Sequence, residues 1–138
     1  MPRTILVVED HDTVRRSLRD WLQTAFPRYR VVEATSGETA VALAEVELPC
    51  LVVMDIALPR MNGVEATRRI KAALPAAHVV MLSIHDDAAY RADAAAAGAS
   101  AYVAKHAMQA ELIPTLVALL SGQSPAKRVN TKAWHDER

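Results

Sequence analysis

The sequence predicts an α/β fold, a parallel sheet covered by helices on both faces, and three observations carry that prediction. Short, almost wholly apolar runs alternate with longer stretches of helical spacing. The alternation repeats five times along the chain. Prolines and glycines fall where each helix has to stop.

Taken in order, the short runs are Ile5-Leu6-Val7-Val8, Val31-Val32, Leu51-Val52-Val53-Met54, Val79-Val80-Met81-Leu82 and Ala101-Tyr102-Val103-Ala104. They show no hydrophobic–polar alternation, so they read as strands buried on both faces. Between them, Val14, Leu18, Trp21, Leu22 and Ala25 form one stripe of an amphipathic helix, and Ala66, Ile70, Ala73 and Leu74 form another. Asn62 with Glu65 three residues later resembles a capping box. Pro27, Pro49 and Pro75 follow the first three helices, and Gly98 and Gly122 end the last two. Pro114 lies inside the fifth helix, where its missing donor should bend the helix or delay its start. Strand-then-helix order implies right-handed crossovers between parallel strands. Residues 1–122 form the predicted domain, and residues 123–138 read as a polar, flexible tail in which Trp134 is either a disordered aromatic or a small docking anchor.

Composition narrows the function classes. A length of 138 residues suits one domain with a real core. Sixteen basic residues balance sixteen acidic ones, so overall charge gives no case for nucleic acid or an anionic membrane as a direct partner. No apolar segment is long enough to span a bilayer, and the N-terminus lacks the apolar length of a signal peptide. Cys50 is the single cysteine, which excludes an internal disulfide and fits a reducing cytoplasm.

In an open α/β sheet, ligands bind beyond the carboxyl ends of the strands. The residues that follow the apolar runs are Glu9 and Asp10, then Asp55, Ser83 and Lys105. One such acid is commonly only a solvated strand end. Together they form a cluster whose carboxylates repel by roughly 4 kcal/mol per pair at 4 Å and an effective dielectric of about 20. A hard divalent cation with oxygen ligands removes that cost, and Mg²⁺, or Mn²⁺ in its place, suits few protein ligands and retained waters. His11 follows the acidic pair and could reach the pocket, although a solvated loop histidine is its default reading. Arg15, Arg16, Arg19, Arg68, Arg69 and Lys71 fall on polar helix faces and read as solvated.

On these residues the chain resembles the receiver domains of two-component response regulators. The stretch Met54-Asp55-Ile56-Ala57-Leu58-Pro59-Arg60-Met61-Asn62-Gly63 carries the strongest likeness. Val8-Glu9-Asp10, Leu82-Ser83 and Tyr102-Val103-Ala104-Lys105 add to it, and Leu82 to Asp87 with Ala97 to Tyr102 is most similar to the NarL/LuxR-type branch. The resemblance implies a flavodoxin-like doubly wound (βα)5 domain with strand order 2-1-3-4-5. It implies Asp55 as phosphoacceptor, and Mg²⁺ held by Glu9, Asp10, Asp55 and the backbone carbonyl of Ala57. Ser83 and Lys105 would bind the phosphoryl group. Ser83 and Tyr102 would form the switch, Tyr102 turning inward from an exposed rotamer to bias the surface of the fourth helix, fifth strand and fifth helix. Ala57 and His85 would tune the lifetime of the phosphoryl group. His106 stands where many relatives have proline after a cis bond, which leaves the geometry of that loop open.

The partners implied are a sensor histidine kinase or a histidine phosphotransfer protein, docking near the first helix where Val14 is partly exposed. A phosphorylation-dependent homodimer or a protein target would follow. The domain would be no enzyme beyond assisting its own phosphorylation and dephosphorylation, and would not itself bind nucleic acid or membrane. A second reading makes it the receiver part of a NarL-type DNA-binding regulator, whose helix-turn-helix the chain does not contain. A third, an Asp-nucleophile phosphatase of the haloacid dehalogenase type, needs a second Asp two residues after the nucleophile. Here that position is Ala57.

Overall fold

The computed structural model describes residues 3–84 and 88–122. His85 and the tail with Trp134 lie outside the described residues, as do the expectations placed on them. The elements are β1 (Thr4–Val8), α1 (Asp12–Ala25), β2 (Arg30–Ala34), α2 (Gly37–Glu47), β3 (Leu51–Asp55), α3 (Gly63–Ala73), β4 (His78–Ser83), α4 (Ala88–Ala97), β5 (Ala101–Ala104) and α5 (Met108–Leu120). All strand pairs are parallel, and the order across the sheet is β2-β1-β3-β4-β5, as the resemblance implies.

The unbroken apolar strands are explained by two separate cores, one on each face. Successive side chains of a strand point to opposite faces. Leu6, Val8, Val52, Met54, Val79 and Met81 therefore pack with Ala40 and Ala44 of α2, Ala66 and Ile70 of α3, and Ala94 of α4. Their neighbours Ile5, Val7, Leu51, Val53, Val80 and Leu82 pack on the other side with Leu18 and Leu22 of α1 and Leu112, Leu116 and Leu119 of α5. Each central strand thus has to be apolar at every position.

Local signals account for most helix ends. Asn62 caps α3, its side-chain oxygen accepting from the Glu65 N–H at 3.0 Å. The reciprocal half of the box is missing, because the Glu65 carboxylate pairs with Arg68 and Arg69. The α2 helix ends on Leu48, which takes the left-handed conformation (φ 50°) before Pro49. Gly98 closes α4 at φ 105°, where a Cβ would be strained. Pro114 does sit inside α5, and a 3₁₀ turn over Lys105–Ala107 delays that helix until Met108. Both Pro114 and Ala110, whose carbonyl loses its donor, are exposed, so water can replace the missing bond. Among the described residues no peptide bond is cis, which settles the turn at Lys105–His106 as trans.

The stripe on α1 is narrower than its spacing predicts: Leu18 and Leu22 are buried and Trp21 is partly buried, but Ala25 is exposed. The buried residues are Arg15, Leu18 and Leu22, while Val14 is 38% exposed. Arg15 is thus a correction to the solvated reading: only 8% of its side chain is exposed. The reason is a set of acceptors around its guanidinium, one of them Glu33 of β2 at 18 residues' distance in sequence. Lys71 is a smaller correction of the same kind, its ammonium donating to the Pro75 and Ala77 carbonyls at 2.7 Å each.

Candidate phosphoacceptor site

The carboxyl ends of β1, β3, β4 and β5 bring the predicted residues to one edge of the sheet. Asp55 is the last residue of β3 and is 4% exposed. Its register partner on β4 is Leu82, so Ser83 lies one residue further out, opposite Ala104 of β5. Lys105 follows directly. Ser83 is fully buried.

Lys105 joins the acids. Its ammonium is 3.1 Å from Glu9 Oε1 and 3.5 Å from Asp55 Oδ2. Glu9 itself is fully buried. Its Oε2 accepts from the His11 backbone N–H at 3.1 Å, and His11 Nδ1 lies 3.3 Å from the same oxygen. His11 is solvent-exposed as expected, but it also reaches the acidic pair. The ligand atoms of Glu9, Asp10 and His11 all lie within 4.8 Å of one another. Asp10 Oδ1 is buried without a hydrogen-bond donor; His11 Nδ1, at 3.5 Å, does not achieve the geometry.

The electrostatics separate the two buried carboxyls. Burial raises the pKa of Asp55, and the neighbouring Glu9 charge raises it further, against the opposing pull of Lys105 and of the Ala57 N–H. Burial also acts to raise Glu9, but the His11 N–H and the Lys105 ammonium outweigh it and hold Glu9 below its ordinary value. Burial works against the Lys105 charge, yet Asp55 and Glu9 together push its pKa up. One ammonium therefore lies between two buried carboxyl groups.

The loop after β3 is fixed at both ends. The Ile56 N–H donates to the Leu82 carbonyl at 2.9 Å, and the Gly63 N–H donates to the Ile56 carbonyl at 3.0 Å. A Cβ on Gly63 would lie 2.4 Å from the Asp55 carbonyl oxygen, so only glycine lets α3 start this close to the end of β3. The Ala57 N–H donates to Asp55 Oδ1 at 3.2 Å. Sequence reasoning had assigned the Ala57 carbonyl a role and missed this N–H, which an acid at a strand end followed by a tight loop could have suggested.

Tyr102 is 1% exposed, and the Arg91 guanidinium of α4 stands 5.3 Å from its ring centroid. The structure thus holds the ring in the inward position, rather than the exposed one from which it was expected to turn. On the opposite face, Thr13, Val14, Ser17, Trp21 and Met108 line an open groove between α1 and α5. Among the described residues no helix is long and apolar enough to cross a membrane.

This fold, with acids and a lysine gathered at the carboxyl edge of a 2-1-3-4-5 sheet, defines a class of protein, and comparison with known sequences gives the class its name. The profile of the response regulator receiver domain matches residues 5–117. The chain belongs to that family of two-component signalling proteins, and its relatives are of the NarL/LuxR type. It is 36% identical over 120 residues to the transcriptional activator protein ExaE of Pseudomonas putida, covering 87% of this chain and 56% of that protein. It is also 36% identical over 119 residues to the transcriptional regulatory protein DegU of Brevibacillus brevis, covering 86% and 50%. The chain spans about half the length of these curated relatives. A crystal structure of a LuxR-family two-component response regulator from Aurantimonas sp. SI85-9A1 superposes with a TM-score of 0.82 at 36% identity, over 90% of this chain and 89% of that one. The chemotaxis protein CheY4 of Vibrio cholerae shares the fold, with a TM-score of 0.78 at 24% identity over 85% and 98%.

Proposed function

We propose that this chain is a phosphorylation-activated receiver in which Asp55 accepts a phosphoryl group from a histidine kinase or a histidine phosphotransfer protein. The observation that carries this is the Lys105 ammonium set between the buried Asp55 and Glu9 carboxylates at the ligand-binding edge of the sheet. In the transfer, an Asp55 carboxylate oxygen forms the bond to phosphorus as the bond from phosphorus to the donor imidazole nitrogen breaks. Lys105 pairs with the phosphoryl oxygens, and the Ser83 hydroxyl donates to one of them. The Ala57 N–H orients the acceptor carboxylate.

The donor set suits a hard divalent cation. It offers carboxylates in excess of nearby positive charge, and the unpartnered buried oxygen of Asp10 supplies an acceptor that no protein donor uses. Mg²⁺ would be held by Glu9, Asp10, Asp55 and the carbonyl of Ala57. When bound it supplies neutralising charge for the phosphoryl oxygens. Ser83, drawn toward the phosphoryl group, biases the packing around Tyr102 and so the α4–β5–α5 surface. The exposed Ala57 leaves room for water beside the acceptor, which tunes the lifetime of the phosphoryl group.

For the output we infer that the receiver works as part of a larger DNA-binding regulator. Support comes from relatives named as transcriptional regulators and about twice as long as the matched segment. Residues 1–122 are then the receiver unit and 123–138 a segment beyond it, acting in the cytoplasm. The test is incubation with acetyl phosphate and Mg²⁺, read by intact mass and by native size. The wild type is expected to gain one phosphoryl mass and Asp55→Asn none. Failure of the wild type to label, or equal labelling of the variant, refutes the phosphoacceptor reading.

A further inference from the structure

We propose that Arg15 is a positioning residue for the acidic pair, holding the Glu9 peptide so that the Glu9 and Asp10 carboxylates face the cation site. This rests on the function proposed above. The Arg15 guanidinium, almost wholly buried, bonds in three directions: Nη1 donates to the Glu9 carbonyl at 3.2 Å and meets Asp12 Oδ1 at 2.9 Å, and Nε donates to Glu33 Oε1 at 3.0 Å. The Glu9 N–H donates to the Ala34 carbonyl at 3.2 Å. The Glu9 backbone is thus held at its N–H by β2 and at its carbonyl by Arg15, and Arg15 is tied back to β2 through Glu33. Asp12, at the start of α1, closes the loop that carries Asp10 and His11.

A planar fork is needed to reach a carbonyl, a helix terminus and an edge strand together. A lysine supplies the charge but cannot span all three. Arg19 makes an informative comparison, since it also pairs with Glu33, at 2.9 Å, but has no bond to the Glu9 peptide.

The experiment measures Mn²⁺ binding to the full chain through loss of the free-ion electron paramagnetic resonance signal, a readout independent of phosphorylation. Removing such an outer support of a metal site costs 10–100-fold in affinity as a rule, so Arg15→Lys is expected to bind roughly 10-fold more weakly. Glu33→Gln should lose at least about twofold, and Arg19→Met should bind as the wild type does. In labelling by acetyl phosphate, the half-saturating Mg²⁺ concentration of Arg15→Lys should rise in parallel, with the rate at saturating metal within about twofold of wild type. Wild-type affinity in Arg15→Lys overturns the proposal. So does an equal loss in Arg19→Met, which would trace the effect to general stability. If circular dichroism shows Arg15→Lys unfolded, Glu33→Gln decides by the same criterion. A wild type that binds Mn²⁺ but gains no phosphoryl mass overturns the phosphoacceptor reading and leaves the role of Arg15 standing.

Discussion

Gly63 touches both the stability of the domain and the placement of Asp55, and Gly63→Ala separates what that closeness is worth. An alanine Cβ would stand 2.4 Å from the Asp55 carbonyl oxygen, 2.8 Å from Ile56 Cα and 3.1 Å from the Asp55 carbonyl carbon. All three are backbone atoms of the acceptor strand and its loop, so no flexible side chain can yield. Overpacking of this kind costs about 1–3 kcal/mol, and the rigidity of the contacts argues for the upper half of that range. Against it, alanine gains up to about 1 kcal/mol over glycine in a helix. The net expectation is a loss of about 1–2 kcal/mol, or roughly 4–8 °C in melting temperature for a domain of this size. Thermal unfolding followed by circular dichroism measures it. Acetyl phosphate labelling should slow as well, because relief of the clash must push the Asp55 peptide away from α3. A melting temperature equal to or above the wild type would refute the claim that α3 is packed against the acceptor strand as tightly as the structure holds it.

Two further outcomes follow from other parts of the structure. Asp55→Asn should be more stable than wild type at neutral pH in the presence of a chelator, since burial and the Glu9 charge both disfavour the ionised acid. The folded pKa is raised, so the native state holds the Asp55 proton to higher pH than the unfolded chain, and the contribution of Asp55 to stability falls as pH rises above the ordinary value of 3.8. The gain in Asp55→Asn should therefore shrink toward pH 3.8 and grow toward pH 7; a gain independent of pH would contradict this origin. Leu48→Gly should raise the melting temperature, because Leu48 is 63% exposed and holds a left-handed backbone. That conformation costs a non-glycine residue roughly 1–2 kcal/mol, part of which glycine returns to the entropy of the unfolded chain. A lowered melting temperature would count against the strain at this helix end.

What could be read from the sequence follows the range of the interactions involved. The strands were legible because burial on both faces makes every position apolar, and the edge of the sheet was legible because it is where apolar runs meet Glu9, Asp55, Ser83 and Lys105. The α3 cap was half legible: Asn62 acts locally, whereas Glu65 had the choice of Arg68 and Arg69. Arg15 was not legible at all. A charged residue on a helix reads as solvated until its partners are known, and Glu33 is 18 residues away on an edge strand. The inward placing of Tyr102 likewise could not be read locally, since its ring packs in the core of the α2–α3–α4 face with Arg91 of α4 over it. Periodicity reports which side of an element is covered, but not by which polar group.

The alternation along β3 has a thermodynamic corollary. Val53 belongs to the layer of α1 and α5, Met54 to the layer of α2, α3 and α4, and Asp55 follows directly on both. A displacement of the acceptor end cannot be confined to one face, since adjacent residues of one strand are gripped from opposite sides. Under the proposed function, a partner seated on the α1–α5 groove and a phosphoryl group on Asp55 would then both act on this one strand end. Any coupling between them is then equal in both directions: what phosphorylation would do to the affinity of the far face, occupancy of that face would do to the phosphorylation equilibrium.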